Sequence, residues 1–369
     1  MAKGDSLADQ LFNQQSVARL AHGFADEFDA DAFIQEVTAQ LAPLALKERI
    51  AMIARVLEGY LSQDFTTAAA QIQRSLPPPL DPNRSDDDFG HFIYASLGVF
   101  VENQAIGQHC SLGLDLVEQL TQRFSMEFSI RGFLIHHTEA TMERMRAWAL
   151  HENYHVRRLA SEGTRPRLPW GQHVPLTHAD TLPILDQLHA DQTRFVVRSV
   201  ANHLNDISKT DPDAVLDRLD AWVKRGEQNE KELLWLRKHA LRGLIKQGDP
   251  RAMTHLGFTP DLAIKTAQIA LPAQIVLGQK VQIAADFTLG LDAPVIADYV
   301  IDFQKSGSRV SQKVFKIKQL SAKADVLNEL RKTHHFDPTA TTFKLYPGAH
   351  KISLQLNGRI VAAQEFTLT

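Results

Sequence analysis

Residues 151–170 read HENYHVRRLASEGTRPRLPW, and the pentad inside that stretch, Val156-Arg157-Arg158-Leu159-Ala160, decides the fold. The same apolar-Arg-x-x-Ala signature returns as Val197-Arg198-Ser199-Val200-Ala201 and again as Leu236-Arg237-Lys238-His239-Ala240. The spacings are 41 and then 39 residues, from 156 to 197 to 236. A period of about 40 residues in a helix-forming context fits the paired-helix units of HEAT-type repeats. Such units stack into a curved solenoid whose second helices line the concave side. Asn153 is a natural N-cap for the helix carrying Val156, and that helix is expected to end at Gly163. Pro166 and Pro169 then stiffen the loop that leads to Trp170.

The helical pattern extends from about Ser6 to Phe258. Phe33, Val37 and Leu41 share one face, as do Ile50, Ile53, Val56, Leu57 and Tyr60, and later Leu114, Val117, Leu120 and Phe124. The proline run SLPPPLDPNRSDDDF (residues 75–89) reads as a long surface loop. Asp211-Pro212 reads as a helix start, Asp capping and Pro in the first helical position. After Phe258 the period changes to short, alternating, β-branched segments at 270–276, 281–289, 295–303, 314–317, 343–346, 352–356 and 360–368. Asn357-Gly358 is a two-residue hairpin signal. The chain is therefore expected to be mainly α, with a HEAT-like helical-repeat solenoid over residues 1–258. A separate all-β, immunoglobulin-like sandwich follows over 259–369.

A chain of 369 residues is long for one domain, which agrees with that division. The net charge of −3 announces no bulk basicity, so any positive face must be local. Cys110 is the single cysteine, which excludes an internal disulfide framework and fits a reducing compartment. No signal peptide and no bilayer-spanning run is legible, so a cytoplasmic monomer that does not engage membranes is expected.

The motif that invites a metal reading is His151-Glu152-Asn153-Tyr154-His155, which satisfies H-E-x-x-H. That chemistry needs both imidazoles on one face of an unbroken helix. The repeat register instead places a helix start between them, so no metal and no cofactor is expected. A phosphate-binding glycine loop is also missing, because Gly163-Thr164-Arg165 has neither the lysine nor the preceding strand. The charges from Arg123 to Arg167 are unusual: eight arginines, no lysine, five glutamates and no aspartate. Arginine's planar fork suits phosphate, although Glu139 and Glu143 with Arg144 and Arg146 read as ordinary pairing along a helix.

At this point the residues resemble a family. NYHVRRLASEGTRPRLPW, with FVVRSVANHLNDISK (195–209) and YPGAHKISLQLNGR (346–359), is similar to the AlkC branch of the alkylpurine DNA glycosylases. The resemblance covers nearly the whole chain. It implies excision of cationic alkylated bases such as 3-methyladenine and 3-methylcytosine from duplex DNA, without the base flipping most glycosylases use. Carried onto this chain, Glu162 and Trp170 are similar to active-site residues of the family and Arg158 to a DNA-backbone contact. Glu127 and Asp206 are further candidate carboxylates, with helix-surface or capping duty as their alternative; for Trp170 the alternative is packing. Arg157, Arg165, Arg167 and Arg198 complete the expected DNA contacts near the site, although Arg157 and Arg198 also stand at equivalent repeat positions. In the sheet domain, Lys305 and Arg309 of the loop QKSGSR (304–309) suit insertion into a minor groove. A non-catalytic HEAT scaffold that binds DNA or protein is the competing reading, and a zinc hydrolase is the third.

Overall fold

The computed structural model describes residues 6–24, 28–86, 88–305, 309–339 and 344–369. The chain forms two compact units, one of residues 1–211 with 218–240, the other of residues 212–217 with 241–369.

In the first unit, helices begin where sequence-local caps satisfy their free amide groups. The Asp29, Asp64 and Asn153 side chains each accept a backbone N–H of the helix that follows. The repeat signature lies on three successive packed helices, Tyr154–Glu162, Arg194–Ile207 and Glu230–Ala240. Its apolar position (Val156, Val197, Leu236) and its alanine (Ala160, Ala201, Ala240) are buried in every copy. The motif therefore records the interior face along which the helices stack. The described residues of the proline-rich stretch 76–91 carry no helix, but the Ser85 carbonyl accepts the Phe195 amide and the Gly90 backbone bridges to Phe124. That loop runs along the edge of the site described below.

Among the described residues the second unit has eight strands: β1 (Ile264–Ala270), β2 (Gln274–Ile275), β3 (Lys280–Leu289), β4 (Ala293–Gln304), β5 (Val310–Ala322), β6 (Asn328–His335), β7 (Gly348–Leu356) and β8 (Arg359–Leu368). They form a three-stranded sheet, β1-β3-β6, and a five-stranded sheet, β2-β8-β7-β4-β5. All pairings are antiparallel except β2 with β8. One apolar core, including Ile283, Phe287, Ile301, Phe303 and Leu354, fills the space between them. Asn357 and Gly358 both have positive φ, as the two-residue turn joining β7 to β8 requires. The Asn357 amide is buried, accepting from Ile296 N–H and donating to the carbonyls of Thr259 and Pro294.

The chain is thus a helical-repeat region followed by a β-sandwich. Three strand readings differ from what the sequence led us to expect. The expected strand 270–276 is instead the end of β1, which starts at Ile264, and the two-residue β2. β6 (NELRKTHH) was hidden because only Leu330 and His334 point inward, leaving a polar edge strand. Residues 344–346 form no strand, although Leu345 is buried, and Phe343 lies outside the described residues.

Candidate active site

The helix Tyr154–Glu162 ends at Gly163, which keeps ordinary right-handed dihedrals. Glycine is needed there for room: a Cβ would stand 2.7 Å from Ile130 Cγ2 and 3.0 Å from the Leu159 carbonyl. The following loop is held by Arg131, a fully buried guanidinium that the sequence reading did not single out. It donates to the carbonyls of Gly163 (2.9 Å), Arg165 (3.0 Å) and Gln172 (2.5 Å). Lys47 Nζ ties down the far end by donating to the Trp170 carbonyl at 2.5 Å. Trp170 adopts φ +64° and is 62% exposed, so packing does not explain it. A non-glycine residue in that region costs on the order of 1 kcal/mol, and such strain collects at functional sites.

Glu162 stands at the centre of a charged lattice. Its Oε1 accepts from Arg165 Nη1 at 2.6 Å and its Oε2 from Ser199 Oγ at 2.6 Å, with Arg158 Nη2 3.7 Å from Oε2. Arg158 also donates to Glu127 and to Ser125 Oγ, both at 2.9 Å, and its guanidinium lies 4.4 Å from the centre of the Phe195 ring. Arg165 reaches back to Asp206 at 2.9 Å, and Lys209 binds the other oxygen of Asp206 at 3.0 Å. Burial pushes the Glu162 carboxyl up. The charges of Arg158 and Arg165, with the Ser199 and Arg165 hydrogen bonds, outweigh it and hold the carboxyl below the ordinary glutamate range. Burial acts against the charge of Arg158 and Arg165 as well, yet their carboxylate partners raise both above the usual arginine value.

Glu162, Glu127 and Trp170 open on one cavity of about 310 Å³, with Phe92, Phe128 and Phe195 among its walls. His155 also lines it, its pKa pushed down by burial to about 4, so it is neutral at pH 7. Asp206 is buried behind Arg165 and does not line this cavity.

The arginines divide. Arg158 and Arg165 line the cavity and clamp the carboxylates of Glu127, Glu162 and Asp206. Arg157 binds Asp191 of the next repeat unit and the His151 and Glu152 carbonyls. Arg198 pairs with Asp86 of the proline-rich loop. Arg167 alone among the five is exposed. In the second unit, Lys305 and Arg309 share a backbone hydrogen bond, while Ser306, Gly307 and Ser308 lie outside the described residues. Arg144, expected to pair along its own helix, instead meets Asp115 and Glu118 of a neighbouring one. The helix start at Asn153 does separate the two histidines of H-E-x-x-H. Among the described residues no cluster of three or more His, Cys, Asp or Glu could hold a metal, and no helix is long and apolar enough to cross a membrane.

Comparison with known proteins gives this geometry its relatives. Residues 119–244, which carry the whole carboxylate–arginine lattice, match a family model described as DNA alkylation repair enzyme, and residues 264–369 match the C-terminal Ig-like domain of YhaZ. A Bacillus subtilis protein, "Uncharacterized protein YhaZ", is 31% identical over 97% of this chain and 98% of its own. A solved structure, the Pseudomonas fluorescens alkylpurine DNA glycosylase AlkC bound to DNA containing an abasic site analog, is 32% identical. It covers 99% of this chain and 100% of its own, with a TM-score of 0.84. The chain belongs to the AlkC-like DNA alkylation repair family. That family has a HEAT-like helical region and an immunoglobulin-like second domain, and both are present in this chain. What sequence reading missed lies in the supports: Arg131 and Ser199, and the phenylalanines of the cavity wall. Ser199 occupies the variable position of the second repeat copy, where nothing local marks it.

Proposed function

We propose that the protein is a DNA glycosylase that hydrolyses the N-glycosidic bond of cationic alkylated bases, 3-methyladenine and 3-methylcytosine, in duplex DNA without flipping the nucleotide. The observation that carries this reading is Glu162: an ionised carboxylate, fixed by two arginines and a serine, opening on an aromatic cavity beside an exposed and strained tryptophan.

Methylation gives the base a positive charge, so it leaves with the bonding electron pair as a neutral molecule and needs no proton from an acid. The sugar is left with oxocarbenium character, as in glycoside hydrolysis. A fixed carboxylate stabilises that charge, and its preorganisation by Arg165 and Ser199 avoids reorganisation during the reaction. Water then adds to C1′, its proton passing to a carboxylate and on to solvent, which yields the abasic sugar. Trp170 packs against the deoxyribose, where its ring face favours the developing cation. Glu127, held by Arg158, is the second carboxylate facing the sugar, and Asp206 acts through Arg165. Duplex DNA is the partner, with Arg167 and Arg198 beside the site and Lys305 and Arg309 in the sheet domain as contacts.

The test is release of base from defined duplexes holding 3-methyladenine, 3-methylcytosine or 7-methylguanine. Glu162→Gln is expected to slow single-turnover excision about 10²–10³-fold, the usual cost of removing one preorganised electrostatic group. Gln still accepts from Ser199, and circular dichroism checks that the variant is folded. No base released by the wild type from any of the three duplexes would leave the scaffold reading in its place.

A further inference from the structure

A second cavity, of about 280 Å³, also counts Trp170 among its lining residues. It shares Phe92, Ser125, Phe128 and Trp170 with the cavity that holds Glu162, so the two are neighbours with a common wall. Its outer sides are one stripe of the helix Leu46–Tyr60, with Lys47, Ile50 and Ala51, and one stripe of the helix Ala95–Ala105, with Val99, Glu102 and Asn103.

Glu102 is the unusual member. Its carboxyl lies against Gly132, where a Cβ would overlap Oε1. Among the described residues no hydrogen bond or ion pair reaches that carboxyl, although nearly every other acidic group near the site has a cationic or hydroxyl partner. A half-buried carboxyl in a cavity lined by Phe92, Met126 and Phe128, without a partner, is costly unless something in the cavity answers it.

We propose that this second cavity binds the free methylated purine released by the neighbouring site, Glu102 pairing with its ring nitrogen and amino group and Phe92 and Phe128 enclosing its flat faces. The proposal rests on the glycosylase reading above. The cavity sits at the small end of ligand pockets, about 300–1,000 Å³ in general, which suits a single heterocycle. Burial raises Glu102 to about 7, so near neutral pH the protonated carboxyl is well populated. In that form it donates its O–H to a ring nitrogen and accepts from the adjacent amino group. Free 3-methyladenine keeps that pair of atoms open. In 3-methylcytosine the methyl group occupies the ring nitrogen beside the amino group, so the pairing is blocked.

The experiment is calorimetric titration of the full-length protein with free 3-methyladenine and free 3-methylcytosine. Wild type is expected to bind 3-methyladenine at least tenfold more tightly than 3-methylcytosine. Glu102→Leu, which removes donor and acceptor together, is expected to weaken 3-methyladenine binding at least tenfold. Ala51→Trp, a substitution at an exposed position on the rim, is expected to do the same by filling the mouth. Circular dichroism confirms that both variants fold. The site is overturned if wild type binds neither base, if it binds both equally, or if both variants bind as wild type does. It is equally overturned if Glu162→Gln alone abolishes binding, since the base would then sit in the first cavity. Wild-type excision, measured separately, keeps the two ideas apart: excision without base binding removes only the second cavity, and base binding without excision removes the glycosylase reading.

Discussion

Glu162 keeps its charge in a place where burial opposes it, and Ser199 is the part of that arrangement easiest to remove cleanly. The hydroxyl donates to Oε2 at 2.6 Å, while Arg165 holds the other oxygen. Ser199→Ala leaves the arginines in place and takes away the hydrogen bond to the charged Glu162, worth about 1.5–3 kcal/mol at neutral pH, together with the hydrogen bond shared with the buried Ser161 hydroxyl. The sign of the pH effect follows from the depressed folded pKa of Glu162. Its stabilising share is present above the unfolded glutamate value of about 4.3 and is lost as pH falls through the folded value. Removing the Ser199 donor moves the folded value up, so the acid limb of the excision profile shifts to higher pH, and the rate at neutral pH falls by less than in Glu162→Gln. Single-turnover excision against pH, for wild type and Ser199→Ala, checks this; an acid limb that does not move would sever Ser199 from the ionisation of Glu162. At this scale the sequence is only partly legible. Glu162 and Trp170 stand in a distinctive segment. Ser199 does not, because its role depends on a contact 37 residues away.

At the scale of elements, the loop after Gly163 is shaped by a single side chain from another helix. Arg131 supplies donors to three carbonyls of residues 163–172 from inside the protein, where burial lowers its pKa to about 10. Arg131→Leu leaves those carbonyls without partners, each worth about 1–3 kcal/mol when buried. We expect a loss of at least about 3 kcal/mol in urea unfolding, together with a looser Trp170 and weaker excision. Arg131→Lys is not expected to restore either, since one ammonium cannot span three acceptors that a planar fork reaches at once. Wild-type stability in Arg131→Lys would show that charge, not fork geometry, is what matters. The helices themselves were readable because each repeat copy stamps the same buried face onto the chain, at Val156, Val197 and Leu236 and at their alanines. Strand β6 was not, because an edge strand buries only two of its side chains and leaves the alternation mostly polar. The arginine-rich stretch is legible only in part. Composition reports how many cations are present, but not that Arg158 and Arg165 spend their charge on Glu127, Glu162 and Asp206.

Across the whole molecule, the buried ionisable groups differ between the two units, and acid should separate them. In the helical unit, burial lowers His155 and His203 to about 4 and also depresses His189, while Glu102 is raised to about 7. In the sheet unit, burial lowers His334 to about 4 and raises Asp298 to about 6. A histidine with a depressed folded pKa favours the unfolded chain increasingly as pH drops from its unfolded value near 6.5 toward the folded one. The shift to about 4 is worth roughly 3 kcal/mol per histidine. A carboxyl with a raised folded pKa works the other way, favouring the folded state as acid protonates it. Asp298 therefore offsets most of the loss at His334, whereas Glu102 offsets only one of the two strongly shifted histidines in the helical unit. Between pH 7.5 and 4.5, the urea midpoint of the helical signal is expected to fall steeply and that of the sheet signal to change little. His203→Phe removes a proton-binding site from the unfolded chain, so it is expected to flatten the helical slope over that range. Parallel loss in both units, or a slope unaltered in His203→Phe, would mean that the acid sensitivity arises elsewhere than in these buried groups.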